Sequence, residues 1–291
     1  MLTKENTVIG FIGTGVMGKS MAGHLLTAGY PVYVYTRTKE KASELIDKGA
    51  KWAESPRELA KTANVIVTMV GYPKDVEEIY LGTEGIIQNG NPDTYLIDMT
   101  TSTPTLAEKI AGAAKEKGMH ALDAPVSGGD IGARDAKLTI MVGGEEQAFE
   151  TVKPLLSLLG ENIILQGKEG AGQHTKMCNQ IAIATNMIGV SEAVAYAEKA
   201  GLNPEKVLQS ITFGAAGSWS LSNLAPRMIQ GDFEPGFYIK HMLKDLNIAL
   251  EEAKKLGMET PGLSLSQSLY DRLEKSGEEN SGTQALYKIY K

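Results

Sequence analysis

The stretch VIGFIGTGVMGKSMAGHL, Val8–Leu25, decides the fold. Its first half belongs to a short β-branched run, TVIGFIG (7–13), which reads as a strand ended by glycines. From Met17 to Ala28 the pattern turns helical, and Gly29 stops it. Gly13, Gly15 and Gly18 therefore form a G-x-G-x-x-G between a strand and a helix. In that context the spacing has a mechanism. Gly13 permits the tight turn, Gly15 lets backbone approach a pyrophosphate, and Gly18 permits close helix–strand packing. The phosphates would lie on the helix amino end, where unpaired N–H groups point outward. Phe11, Gly13, Thr14, Gly15, Val16, Met17 and Gly18 are the expected cofactor contacts of this loop.

Outward from this unit, strands and helices alternate. Further strands are expected at 31–37, 64–70, 94–100, 120–126 and 138–144, with helices at 39–49 and 104–118. Strands separated by helices imply right-handed crossovers and a mostly parallel sheet, and their apolar runs suit a sheet covered on both faces. Near Gly167 the rhythm changes. From Gly172 onward the patterning is almost wholly helical, led by a long apolar helix from about Thr175 to Lys199 that should be buried on several sides. The predicted architecture is α/β: a Rossmann-type, doubly wound, mostly parallel sheet over 1–165, then a smaller all-α domain over 172–291, joined by the long helix. The segment 214–223 reads as a loop, with Trp219 and Ser220 as possible substrate-site residues. The tail from Ser276 reads as partly mobile, then helical.

Composition narrows the class. The chain has 291 residues, 42% hydrophobic and 22% charged, which suits two ordinary globular domains. A net charge of −6 argues against nucleic acid or an anionic membrane as partner. A single cysteine excludes an intramolecular disulfide and fits a cytoplasmic location. The first residues lack a signal-peptide pattern, and no apolar run approaches the ~18 residues of a membrane span. His24, His120, His174 and His241 show no metal-ligand spacing, so no metal is expected.

The end of the second strand bears on the cofactor. A carboxylate about 20 residues beyond the glycines would bind a ribose 2′-hydroxyl. The sequence there is Tyr35-Thr36-Arg37-Thr38. Arg37 can pair with a 2′-phosphate, and Thr36 and Thr38 can donate to it, so NADP(H) is expected in preference to NAD(H). Met69, Val70 and Pro73 after the third strand, and Thr100, Thr101 and Ser102 after the fourth, occupy the carboxyl edge where the rest of the cofactor would lie.

Two further blocks suggest chemistry. In GAGQHTKMCNQ (170–180), Lys176, Asn179 and Gln180 share a helical face with Ile183 and Met187. Burial and the positive end of the helix both disfavour an ammonium, which suits Lys176 to acid/base work near neutral pH. Cys178 lies off that face and is expected to be a small buried apolar group. In DAPVSGG (123–129), the Ser127 hydroxyl and the N–H groups of Gly128 and Gly129 can cradle a carboxylate. Lys240 and Lys244 lie four residues apart on one helical face, followed by Asp245, and His241 is the rival acid/base.

Together the glycine-rich signature, DAPVSGG, GAGQHTKMCNQ and FYIKHMLKDLNIAL (237–250) resemble, in order, four blocks of the 3-hydroxyisobutyrate dehydrogenase family, the β-hydroxyacid dehydrogenases. The resemblance spans nearly the whole chain. It implies interconversion of a small β-hydroxy acid and its semialdehyde by hydride transfer, with the substrate between the domains. It assigns catalysis to Lys176 with Asn179, substrate binding to Ser127, Gly128 and Gly129, and cofactor or substrate binding to Lys244. Some family members have Asn where this chain has Gln180, so either carboxamide is a candidate for the substrate. Phe237 is a candidate pocket wall. A homodimer or homotetramer is expected, because so apolar a helix in so small a domain calls for a covering partner. Imine reductases are the nearest alternative, but they generally lack the lysine. Decarboxylating 6-phosphogluconate dehydrogenases are longer, with an extended helical half. A catalytically silent NADP-sensing module is the alternative outside enzymes.

Overall fold

Apolar runs bounded by glycine and proline become the strands of one sheet in the computed structural model, which describes residues 2–291. They are β1 (Ile9–Ile12), β2 (Val32–Tyr35), β3 (Lys51–Trp52), β4 (Val65–Thr68), β5 (Tyr95–Asp98), β6 (His120–Asp123), β7 (Val126–Ser127), β8 (Leu138–Gly143) and β9 (Gly160–Gly167). The order β3-β2-β1-β4-β5-β6 is parallel throughout. Next comes β8, antiparallel to β6 and β7 and parallel to β9. Every residue of β1 and β4 is buried, as strands covered on both faces require. The strand order reverses between β1 and β4, and ligands bind at such a point, outside the strands' carboxyl ends.

Three strands lie outside the sequence expectation. β3 and β7 have two residues each, too short for any periodic signal. β9 is an edge strand with mostly exposed side chains, so it lacks a strand-length apolar run. The expected helix over 39–49 is broken into a 3-10 turn, Lys39–Ala42, and a short helix, Ser43–Asp47.

The chain divides into two units, one ending at Lys176 and the other Met177–Lys291. The division falls within the helix Ala171–Lys199. The second unit is helical: Pro204–Ile211, Trp219–Asn223, Ala225–Gln230, Ile239–Lys255 and Pro261–Lys275, closing with a 3-10 segment, Thr283–Tyr290. Met187, Met228, Leu246, Tyr270 and Tyr287 centre its core. Two expectations are corrected here. The supposed loop 214–223 contains a helix capped by Ser218, whose hydroxyl accepts from Leu221 N at 3.0 Å. The tail is anchored: Gly282 N donates to Phe233 O, Ser281 O accepts from Ile239 N, and Leu286 is fully buried.

The glycine loop is built by contact. A Cβ on Gly18 would stand 1.9 Å from Gly13 O, whereas one on Gly15 would meet nothing within 4 Å. Gly15 also has φ −72°, an ordinary value for any residue. Gly18→Ala should therefore cost about 1–3 kcal/mol of stability through overpacking. Gly15→Ala should stay within about 0.5 kcal/mol of the parent. Denaturant unfolding of the two variants checks the contrast.

Candidate active site

The helix Val16–Thr27 begins at Gly15 without a side-chain cap, which leaves its first N–H groups facing outward. Thr14 Oγ1 is buried beside it with no hydrogen-bond partner. An orphaned hydroxyl, an uncapped helix and open space over Gly15 fit an anionic pyrophosphate. Gly13, with φ +97°, makes the turn that no larger residue would adopt comfortably. Val16 is exposed and Met17 half-buried at the loop's lip. Phe11 differs: its ring is fully buried in the core, so its part is packing.

At the end of β2, Thr36 is half-buried and Thr38 exposed. Arg37 has a side chain 79% exposed, and its Nη1 lies 3.2 Å from Asp75 Oδ1. Met69, Val70 and Pro73 are half-buried after β4. A polar seam ties these strand ends together. Val70 N donates to Thr100 Oγ1 at 3.0 Å. Thr68 Oγ1 donates to Asp98 Oδ1 at 2.7 Å, Thr100 N donates to the same oxygen, and the Tyr80 hydroxyl reaches Thr68 Oγ1 at 2.9 Å. Burial pushes the Asp98 carboxyl up to about 6, against the hydrogen bonds from Thr68 and Thr100.

The seam continues into the lysine helix. Gln173, fully buried, accepts from Ser102 N at 2.9 Å and donates to Thr100 O at 2.8 Å. Asp123, at the end of β6, accepts from Gly170 N with one oxygen and Gln173 N with the other, both at 2.8 Å. Burial also pushes the Asp123 carboxyl up, opposed by those N–H donors. One turn further, Lys176 is only 6% exposed and its Nζ donates to Val126 O at 2.8 Å. Val126 directly precedes Ser127, Gly128 and Gly129, of which Ser127 and Gly129 are half-buried and Gly128 exposed; the two glycines have φ of 130° and 63°. Lys176 and the strand that leads into the Ser127–Gly129 turn are thus joined by one hydrogen bond. Sequence reasoning passed over Asp123 and Gln173, although both stand inside the quoted blocks; their polar position at a strand end and at a helix start was the available signal. Thr101 is half-buried beside Gln173's partners.

In the second unit the two carboxamides separate. Gln180 is fully buried; its amide donates to Asp245 Oδ2 at 2.6 Å and its oxygen accepts from Asn179 at 2.8 Å. Asn179 is half-buried, and Gln180 lies fully buried beneath it. Lys244 Nζ lies 3.0 Å from Asp245 Oδ1, which places the Lys-Asp pair in the same polar group as Gln180. Phe237 is half-buried and stacks near His241, Ser220 is buried, and Trp219 is exposed rather than core. Cys178 is exposed, contrary to expectation, because its turn of the helix faces away from the core.

Comparison with known proteins matches this geometry to a family. Residues 8–167 match the model described as the NAD binding domain of 6-phosphogluconate dehydrogenase, and residues 170–290 match that of NADP-dependent 3-hydroxyisobutyrate dehydrogenase. The chain is 48% identical to a probable 3-hydroxyisobutyrate dehydrogenase-like protein of Arabidopsis thaliana, over 98% of this chain and 86% of that one. The chain belongs to the 3-hydroxyisobutyrate dehydrogenase family. It is also 42% identical to the 2-hydroxy-3-oxopropionate reductase of Escherichia coli, over 92% of both chains. Among solved structures, the Mycobacterium tuberculosis 3-hydroxyisobutyrate dehydrogenase with L-serine superposes at a TM-score of 0.88, with 31% identity and 97% and 98% of the two chains covered. Imine reductases, at 18–19% identity, share the fold alone. As a member of the 3-hydroxyisobutyrate dehydrogenase family, the chain is an NAD(P)-dependent oxidoreductase. No helix among the described residues is long and apolar enough to cross a membrane.

Two measurements probe the seam and its support. A folded-state pKa raised to about 6 means Asp98 holds its proton better folded than unfolded, where a carboxyl releases it near 4. Its contribution is greatest below the unfolded value and is lost as pH rises from about 4 to 6. Asp98→Asn should therefore gain roughly 3 kcal/mol relative to the parent between pH 4 and pH 7, read from denaturant unfolding at both. Gln180→Ala leaves Asp245 Oδ2 without its donor, and Asn179→Ala leaves the buried Gln180 oxygen without its donor; each should cost about 1–3 kcal/mol, read from denaturant unfolding.

Proposed function

We propose that this enzyme interconverts a small β-hydroxy acid and its semialdehyde, with NADP(H) preferred and Lys176 as the proton donor and acceptor. One observation carries the reading: a largely buried lysine whose Nζ is fixed at Val126 O, next to the Ser127–Gly129 turn. A bound nicotinamide supplies or removes the hydride at the carbon bearing the oxygen. Lys176 gives its proton to the carbonyl oxygen during reduction and takes it from the hydroxyl during oxidation. The seam through Gln173 and Asp123 fixes the helix turn that bears the lysine. Ser127 Oγ and the N–H groups of Gly128 and Gly129 receive the substrate carboxylate. Asn179, one helical turn beyond Lys176 and seated on Gln180, donates to a substrate oxygen. Lys244, held by Asp245, supplies positive charge toward the anionic ligands.

Arg37 supports the NADP(H) preference: it is an exposed cation at the end of β2, where a 2′-phosphate is read. The two named relatives support the substrate class, since one is a probable 3-hydroxyisobutyrate dehydrogenase-like protein and the other a 2-hydroxy-3-oxopropionate reductase. A homodimer or homotetramer is supported by Tyr196, Phe213, Leu256 and Leu265, large apolar side chains that lie exposed on the second unit. Light scattering should give at least twice the chain mass.

Lys176→Ala should lower kcat by about 10²–10⁴-fold, the usual contribution of a positioned acid/base, with the NADPH dissociation constant within about twofold of the parent. NADPH oxidation should be measured with glyoxylate, succinic semialdehyde, tartronate semialdehyde and methylmalonate semialdehyde. Turnover with at least one is expected. Silence with all four would remove the semialdehyde reading and favour a sensing role.

A further inference from the structure

At the end of β2 the sequence offers no carboxylate to a ribose, yet the fold delivers one from elsewhere. Asp75 stands in the first turn of the helix Pro73–Leu81, and its Oδ1 lies 3.2 Å from Arg37 Nη1. The two partners are unequal: the Arg37 side chain is 79% exposed and that of Asp75 only 13%. Asp75 Oδ2 is buried and has no hydrogen-bond partner. Capping of its own helix does not account for the buried oxygen, since Oδ2 receives no hydrogen bond. The helix thus holds a carboxylate with an unused acceptor beside a guanidinium that lies mostly in solvent. An exposed single-point pair holds an arginine weakly, so a phosphate can draw Arg37 away from it.

The two forms of the cofactor meet these groups differently. A ribose 2′-hydroxyl is a donor, and a carboxylate at this edge is the group that ordinarily accepts from it. A 2′-phosphate offers only negative charge at neutral pH beyond its second ionisation, so it gains from Arg37 and is repelled by Asp75.

We propose that Asp75 is a specificity-determining residue that opposes Arg37, weakening NADP(H) binding and admitting NAD(H). This rests on the reading of Arg37 as the 2′-phosphate ligand. Arg37 sets the preference for NADP(H), and Asp75 limits its size. A carboxylate and a phosphate separated by the width of a guanidinium, about 6–7 Å, repel enough to change affinity about fivefold to tenfold in a water-like dielectric.

Calorimetric titration with NADP⁺ and with NAD⁺ tests this without reference to turnover. The proteins compared are the parent, Arg37→Ala, Asp75→Asn and Asp75→Ser, each checked by its melting temperature; the serine variant serves if the asparagine one does not fold. Asp75→Asn should raise the ratio of the NAD⁺ to the NADP⁺ dissociation constant about fivefold to tenfold, and the gain should shrink in 0.5 M salt, roughly, as screening requires. An unchanged or lowered ratio in both Asp75 variants overturns the proposal, since Asp75 would then merely orient Arg37 or serve the fold. Arg37→Ala judges the underlying reading separately: it should weaken NADP⁺ at least about tenfold and leave NAD⁺ within about twofold. If NADP⁺ binding is insensitive to Arg37, the phosphate-ligand reading falls, and the proposal that Asp75 opposes it falls with it.

Discussion

A buried carboxylate at the amino end of one helix is the constraint on which the site depends. Asp123 receives the N–H groups of Gly170 and Gln173, the donors that a helix start leaves without partners. Its charge also meets the positive end of the helix Ala171–Lys199. Burial alone would make such an anion costly, and two charge-assisted hydrogen bonds offset that cost. Packing on both sides leaves little freedom. A Cβ on Gly172 would stand 2.6 Å from Asp123 O, and one on Gly143 would stand 2.5 Å from Asp123 Oδ1. The glycines of this region are therefore spacing elements that let helix, strand and carboxylate meet. Lys176, one turn on, inherits its position from that contact.

The same logic runs along the carboxyl edge of the sheet. An apolar edge would pack well but would present nothing to a polar ligand. Here Thr68, Asp98, Thr100 and Gln173 hand hydrogen bonds from β4 to β5 and on to the helix start. Each loop that faces the ligand edge is thus held by side chains behind it. The glycine loop after β1 leaves open space over Gly15, where a Cβ would meet nothing within 4 Å. Asp98 shows the cost of this design, since burial pushes its carboxyl far above the ordinary range.

Much of the candidate site was legible because its residues lie in contiguous blocks. The glycine loop, the Ser127–Gly129 turn and Lys176 each declare themselves through local spacing that also dictates their backbone. Other members were hidden because their meaning depends on partners far along the chain. Helical periodicity places Asn179 and Gln180 on one face but cannot tell the half-buried carboxamide from the one fully buried against Asp245, 65 residues away. The lone cysteine looked apolar and buried by residue type, yet its angle around the helix exposes it. Short strands such as β3 and β7 exist only because a neighbouring strand pairs with them.

By itself, the sequence determined the doubly wound sheet, the helical second half and the place of Lys176 in the first turns of a long helix, since hydrophobic period, glycine spacing and turn residues are local properties. Only the tertiary structure decided which polar groups stand together. It brought Asp75 to Arg37 across 38 residues, Gln173 to Thr100 across 73, and Asp123 to the helix start across 47 to 50. Hydrogen bonds and charges act over a few ångströms, and the chain supplies that proximity only once strand order and helix packing have closed the distance.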